Sequence, residues 1–279
     1  MNFGYLLVVA SSETANYLDM AYALAMSIKH TQKPGYDQVA LVIDNVDAVK
    51  DLKSPWVFDH VIQWNQETFW DGRSWMDKLT PFECTVCLDA DMLFLRDYSH
   101  SIDHLIETCE LFMPSKVYNY RGQVAQDDYY RKTFRENKLP NLYSLYTFFK
   151  KDSELASEFF SLGRYIIKHP KEFSNIFLTE HKPKVIGTDE AFALSAKLLG
   201  IDDTITYDND FLRVVHMKPM LQGWPWPAEK WSDHIGFYFN HCGELKLGNY
   251  KQTDIVHYVE KDKINTEIIS VLEELIWKK

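Results

Sequence analysis

The stretch Phe82-Glu83-Cys84-Thr85-Val86-Cys87-Leu88-Asp89-Ala90-Asp91-Met92-Leu93-Phe94-Leu95 is apolar for most of its length and carries two carboxylates at its centre. Its first half reads as a strand buried on both faces, because a continuous apolar run needs cover on each side. That strand ends on Asp89-Ala90-Asp91, and open α/β sheets bind ligands at the carboxyl ends of buried strands. Two acids pressed between apolar segments repel each other and are costly to desolvate unless a cation or hydrogen bonds offset them. Hard oxygen ligands suit Mg²⁺ or Mn²⁺, and such an ion can hold the two phosphates of a nucleotide. Asp208-Asn209-Asp210 has the same spacing without an apolar strand before it, and reads as a turn.

On the amino side, Gly4 to Ala10 is a second continuous apolar run, closed by Ser11-Ser12. Leu18, Ala21, Tyr22, Ala25 and Ile28 then recur at helical spacing, and Gln38 to Ile43 forms another buried strand. A third strand is expected near Trp56 to Ile62. Strands alternating with helices in this way call for an α/β fold with a Rossmann-like, mostly parallel central sheet flanked by helices. Downstream, residues 115 to 140, with the acidic pair Asp127-Asp128, read as an irregular or helical insertion. An aromatic strand follows over Leu142 to Phe149 and an amphipathic helix over Asp152 to Lys168. Thr188-Asp189-Glu190 opens a helix to Leu199, strands are expected at Phe211 to His216 and Asp254 to Val259, and a helix follows through Ile264, Ile268, Leu272 and Ile276. Nothing resembling a repeat or a low-complexity linker divides the chain, so one domain over residues 1–279 is expected.

Composition narrows the function. The 279 residues are 46% hydrophobic and 25% charged, proportions that exclude global disorder, collagen and coiled coil. A formal charge of -10 argues against nucleic acid as a partner. No apolar run approaches the roughly 18 residues that cross a bilayer, and the opening residues lack the basic flank of a signal peptide, so a cytoplasmic setting is expected. Cys84 and Cys87 have a zinc-like spacing but no second ligand pair, and read as core thiols. The phosphate-cradling Gly-x-x-x-x-Gly-Lys, the dinucleotide Gly-x-Gly-x-x-Gly and the hydrolase Gly-x-Ser-x-Gly are all missing.

Three segments carry a resemblance: Val8-Val9-Ala10-Ser11 with Tyr17 and Ala21 to Lys29; Lys78 through Asp89-Ala90-Asp91-Met92-Leu93; and a late strand ending in His. In these the chain resembles the GT-A glycosyltransferases, in particular the retaining glycogenin-like and galactosyltransferase-like family 8. The resemblance implies a GT-A fold, with residues 1–113 as a nucleotide-sugar-binding half and 114–279 as an acceptor-binding half. It further implies a UDP-sugar donor, Mn²⁺ or Mg²⁺ held by Asp89, Asp91 and a histidine, and a carbohydrate or other hydroxyl acceptor. Tyr17 would stack on uracil, Ser11 and Ser12 would lie near the nucleoside, Lys78 near the donor, and Asp189 beside the transferred sugar. His216, in Val214-Val215-His216-Met217-Lys218-Pro219, matches the family's histidine motif in wording. His257, in Ile255-Val256-His257-Tyr258-Val259-Glu260-Lys261, matches it in position, which favours His257. Lys218 and Lys261 then fall near the diphosphate. Glu190 stands where the family has Gln, and Asn141-Leu142-Tyr143-Ser144 is the nearest stretch to its Asn-Ala-Gly segment. Two other classes fit the same residues: a catalytically weak nucleotide-sugar or glycan-binding module, and an Asp-x-Asp phosphotransferase. The Trp224-Pro225-Trp226 and Trp231 cluster offers rings for an acceptor sugar or for packing of its own loop.

Overall fold

The computed structural model describes residues 2–65, 69–125, 130–205, 209–225 and 228–279. Strand β1 (Phe3–Val8) is almost wholly buried and leads into helix α1 (Tyr17–Thr31), whose start is capped by the Asn16 side chain accepting from Asp19 N–H. Residues Met20 through Ile28 of α1 are all buried, so this helix lies in the core rather than on it. Then come β2 (Val39–Ile43) and β3 (His60–Gln63). The third strand starts later than its apolar residues suggest, because Pro55–Val57 turns as a short 3₁₀ segment first. The short helix α2 (Met76–Leu79) precedes β4 (Cys84–Leu88), which carries the carboxylates at its end and is followed at once by β5 (Met92–Leu93).

Helix α3 (Ser99–Thr108) and β6 (Leu111–Phe112) follow, then α4 (Lys132–Glu136), β7 (Tyr146–Lys150), α5 (Glu154–Lys168), α6 (Pro170–Phe177), α7 (Thr188–Leu199) and α8 (Asp202–Ile205). The central sheet has the order β3-β2-β1-β4-β7-β6. The first four strands run parallel, whereas β7 is antiparallel to both neighbours, so the sheet is mixed but mostly parallel. Cys84 packs in the core on one face and Cys87 in the core on the other, as odd spacing along a strand requires. The pair therefore cannot ligate one ion. Where β1 crosses Phe82, a Cβ on Gly4 would stand 2.4 Å from the aromatic ring, which explains a glycine inside a buried strand.

The remaining strands are short: those at 214–216 and 255–257 fall inside the stretches where strands are expected, and the three between them have no counterpart in the sequence pattern. They are β8 (Val214–His216), β9 (Phe237–Phe239), β10 (Leu245–Leu247), β11 (Tyr250–Gln252) and β12 (Ile255–His257), before the last helix α9 (Thr266–Trp277). β9 to β11 form an antiparallel meander, and β5, β12 and β8 form a separate sheet in that order. In this sheet β12 is antiparallel to β5, pairing His257 with Met92, and parallel to β8, pairing His257 with His216. This small sheet is what draws the late part of the chain onto the carboxyl end of β4. Among the described residues no helix is long and apolar enough to cross a membrane.

Candidate metal centre and adjoining cleft

Asp89 and Asp91 leave the end of β4, and the β5–β12 pairing sets His257 opposite Met92, one residue beyond Asp91. Backbone bonds fix both acids: Asp89 N–H donates to Leu145 C=O at 3.1 Å and Tyr258 N–H to Asp91 C=O at 3.1 Å. One donor atom from each of Asp89, Asp91 and His257 lies within 4.8 Å of the others. His257 Nε2 is 3.0 Å from Asp91 Oδ2 and 3.8 Å from Asp89 Oδ2. Two cations close the arrangement: Lys261 Nζ donates to Asp91 Oδ2 at 2.6 Å, and Arg73 Nη1 pairs with Asp89 Oδ1 at 2.7 Å. Asp91 is 4% exposed, and burial alone would raise its pKa; attraction to His257 and Lys261 and their hydrogen bonds outweigh this and hold the carboxyl well below its ordinary range. The acid is thus a fixed negative charge. Two carboxylate oxygens and an imidazole nitrogen form a donor set that fits Mn²⁺ or Mg²⁺, and Lys261 and Arg73 show that the position favours positive charge.

His216 does not join the three converging donors. Its ring stacks on that of His257 at 4.7 Å with planes 23° apart, a consequence of the β8–β12 register. Burial first, then the positive surroundings of His257, Lys218 and Arg131, hold its pKa well below the ordinary histidine value. The Nδ1 atoms of both histidines are buried without a hydrogen-bond partner among the described residues.

A cleft opens on two sides of this centre. One lobe, about 710 Å³, is lined by Ser11, Ser12, Tyr17, Asp91, Lys218 and Lys261. The Ser11 N–H and Oγ both donate to the Asp44 carboxylate at 3.0 Å, the Ser12 hydroxyl lies 3.1 Å from that of Thr14, and Lys261 Nζ stands 5.4 Å from the Tyr17 ring centre. The other lobe, about 310 Å³, is lined by Arg73, Tyr130, Arg131, Asp189, His216 and Lys218. Lys218 Nζ lies 4.7 Å from the Tyr130 ring centre, and burial lowers its pKa.

Asp189 occupies the first turn of α7, as its sequence pattern predicts. Its Oδ1 accepts from Ser144 N–H at 3.0 Å and Ser144 Oγ at 2.5 Å, and its Oδ2 pairs with Arg131 Nη1 at 2.8 Å. Burial would raise the Asp189 pKa; Arg131, the two Ser144 bonds and Arg73 together lower it. Glu190 turns the other way and accepts from Gly187 N–H at 3.0 Å, capping the helix. Arg73 also donates from Nη2 to the Ser144 carbonyl. A continuous polar chain therefore runs from Asp89 through Arg73 and Ser144 to Asp189 and Arg131.

The structure brings together Ser11, Ser12, Tyr17, Asp89, Asp91, Asp189, His216, Lys218, His257 and Lys261 around this cleft. Lys78 is the exception. It is a largely exposed residue of α2 whose Nζ lies 3.3 Å from Asp77, and it is not among the residues that line either lobe. The cation beside Asp89 is Arg73 instead, which carries no functional signal in the sequence. Arg131 and Tyr130 carry no signal in the sequence and only their non-local partners reveal them; Ser144 lies in the Asn141-Leu142-Tyr143-Ser144 stretch, but its bonds to Asp189 do not follow from the sequence. Trp231 is fully buried, its Nε1 donating to Tyr258 C=O at 2.6 Å, so its role is structural. Asp127, Asp128, Asp208 and Trp226 lie outside the described residues.

No family model matches the chain, and no curated protein matches it in sequence. Its structure is similar to mouse xyloside xylosyltransferase 1 in the apo form, at 11% identity and a TM-score of 0.55, over 95% of this chain and 100% of that one. It is also similar to the apo form of the glycosyltransferase GlyE of Streptococcus pneumoniae TIGR4, at 10% identity and a TM-score of 0.51, over 98% of this chain but 59% of GlyE. The six-stranded, mostly parallel sheet flanked by helices is thus the architecture of known glycosyltransferases, in keeping with a GT-A fold.

Proposed function

We propose that the chain is a metal-dependent glycosyltransferase that moves a sugar from a UDP-sugar to a hydroxyl of a carbohydrate or other acceptor, with retention of anomeric configuration. The observation that carries this reading is the convergence of Asp89, Asp91 and His257 at the end of a buried parallel strand, between two lobes of one cleft. When held by these three residues, Mn²⁺ or Mg²⁺ supplies positive charge opposite the diphosphate leaving group.

The chain's own residues supply the rest. In the larger lobe Tyr17 offers a ring to the uracil, and Ser11 and Ser12 border the nucleoside. Lys218 and Lys261 add positive charge around the two phosphates as the bond to the sugar breaks. In the smaller lobe Asp189 faces the transferred sugar as a fixed negative charge suited to an oxocarbenium-like transition state. The bond from the anomeric carbon to the phosphate oxygen breaks, a bond to the acceptor oxygen forms on the same face, and the acceptor proton passes to the departing phosphate oxygen. This route needs no protein base, and Asp189 has both oxygens engaged by Ser144 and Arg131. Residues 1–113 would supply most donor contacts and 114–279 the acceptor side. The phosphotransferase alternative needs Asp89 free as a nucleophile, whereas Arg73 grips its Oδ1.

A thermal-shift screen of UDP-sugars, each with Mn²⁺ and with a chelator, tests the reading. A UDP-sugar should stabilise the protein only with metal, release UDP slowly, and do neither in Asp91→Ala. Equal stabilisation of both proteins would remove Asp91 from the site and the reading with it.

A further inference from the structure

Close to the β8 segment, aromatic rings form a continuous strip. The Tyr120 ring meets that of Tyr250 at 5.4 Å, nearly perpendicular, and that of Trp224 at 6.5 Å, and Trp224 meets His234 at 5.2 Å. Tyr250 is 46% exposed and Trp224 half-buried, while Tyr120 is the buried link between them. Arg121 lies over the Tyr120 ring at 5.0 Å and donates from Nε to its hydroxyl at 2.9 Å.

This strip is rigidly joined to the strand that reaches the cleft. Gln222 is fully buried; its Oε1 accepts from Tyr120 N–H at 3.2 Å, and its Nε2 donates to His216 C=O at 2.9 Å and Lys218 C=O at 2.8 Å. Gln252 Nε2 donates to Tyr120 C=O at 3.0 Å from the other side. Two side-chain amides thus lock the Tyr120 backbone beside His216 and Lys218, both of which line the cleft. Pre-ordered rings cost little entropy on binding.

We propose that Trp224 and Tyr250, the accessible rings held in place by the buried Tyr120, form a binding surface for the inner sugars of an oligosaccharide acceptor, whose terminal residue enters the smaller lobe. The C–H faces of pyranose rings stack on aromatic faces while their hydroxyls bond to polar tips, and here rings alternate with a guanidinium and phenol hydroxyls. The net charge of -10 disfavours a nucleic acid in the same place. This inference rests on the sugar-transfer reading, to which it adds an acceptor class, namely a glycan of several residues.

The test titrates the purified 279-residue chain with mono- through hexasaccharides of the gluco-, xylo- and N-acetylglucosamine series, followed by calorimetry. Affinity should rise with chain length in one series. Trp224→Ala and Tyr250→Ala should each weaken the longest ligand by about tenfold and leave the monosaccharide unaffected, with Trp224→Phe retaining most of the affinity. Near-UV circular dichroism checks that each variant is folded. Length-independent or undetectable binding in all three series, or folded variants that bind like the wild type, would overturn the proposal. The Mn²⁺-dependent shift with UDP is measured on the wild type alongside. Its absence would defeat the donor reading alone, and its presence without chain-length dependence would defeat the strip alone.

Discussion

Arg131→Met removes the cation opposite Asp189 while keeping an unbranched side chain to lie on Tyr143 and Phe134, whose ring centres are 3.8 and 4.4 Å from the guanidinium. Breaking one partner of a buried ion pair costs about 3–5 kcal/mol, because the other charge is left buried and unpaired. The Arg131 side chain is 12% exposed but that of Asp189 26%, and this residual access to the cleft puts the expected loss near the lower end, about 3 kcal/mol. At roughly 2–4 °C per kcal/mol for a protein of this size, the melting temperature should fall by about 6–12 °C.

The pH dependence distinguishes charge from packing. The folded-state pKa of Asp189 is depressed, so the pair contributes stability above the unfolded carboxyl pKa of about 3.9 and loses it as pH falls through the folded value. In the variant, burial pulls the same carboxyl upward, so it takes up a proton at higher pH and sheds its penalty. The gap between wild type and variant should therefore be widest near pH 7 and narrow below about pH 5. Scanning calorimetry from pH 8 to pH 4 measures it, and Arg131→Met/Asp189→Asn should recover part of the loss at pH 7. A gap under about 1 kcal/mol at neutral pH, or one that does not change with pH, would show that Arg131 acts by packing alone.

Three further outcomes are expected. Native protein should expose one fast-reacting thiol, Cys242, and four after unfolding, because Cys84, Cys87 and Cys109 are buried and burial pushes the Cys87 thiol up to about 11; a second fast thiol would contradict the packing of β4 or of the link between α3 and β6. Gly4→Ala should lose about 1–3 kcal/mol in chemical denaturation, since its Cβ meets the Phe82 ring, and a neutral result would show that the ring can yield. Trp231→Ala should cost about 3–5 kcal/mol from the cavity and the orphaned Tyr258 carbonyl, and a loss below 1 kcal/mol would make the loop of residues 219–231 a surface feature.

Much of the fold is legible along the chain because β1, β2 and β4 are unbroken apolar runs, and α1, α5, α7 and α9 repeat at helical spacing. The segments of β8 and β12 are legible as strands too, but their union with β5 in one small sheet is not, because strands of two or three residues carry no register of their own and gain stability only from partners distant in sequence. The site divides the same way. Asp89 and Asp91 declare themselves through a local conflict, charge inside an apolar run. His257 and His216 are adjacent in register, so the two histidine readings of the sequence describe neighbouring points of one small sheet, with His257 turned toward the acids. Arg73 and Arg131 stay hidden because an arginine's partner is set by tertiary structure, and Lys78 shows the converse, a plausible cation that the fold carries elsewhere.

Anomalous scattering from a crystal containing MnCl₂ and UDP tests the central claim most directly. A manganese peak bound by Asp89, Asp91 and His257, with the UDP phosphates on its open side, is predicted. A peak at other residues, or UDP seated in the cleft with no peak beside those three side chains, would contradict it.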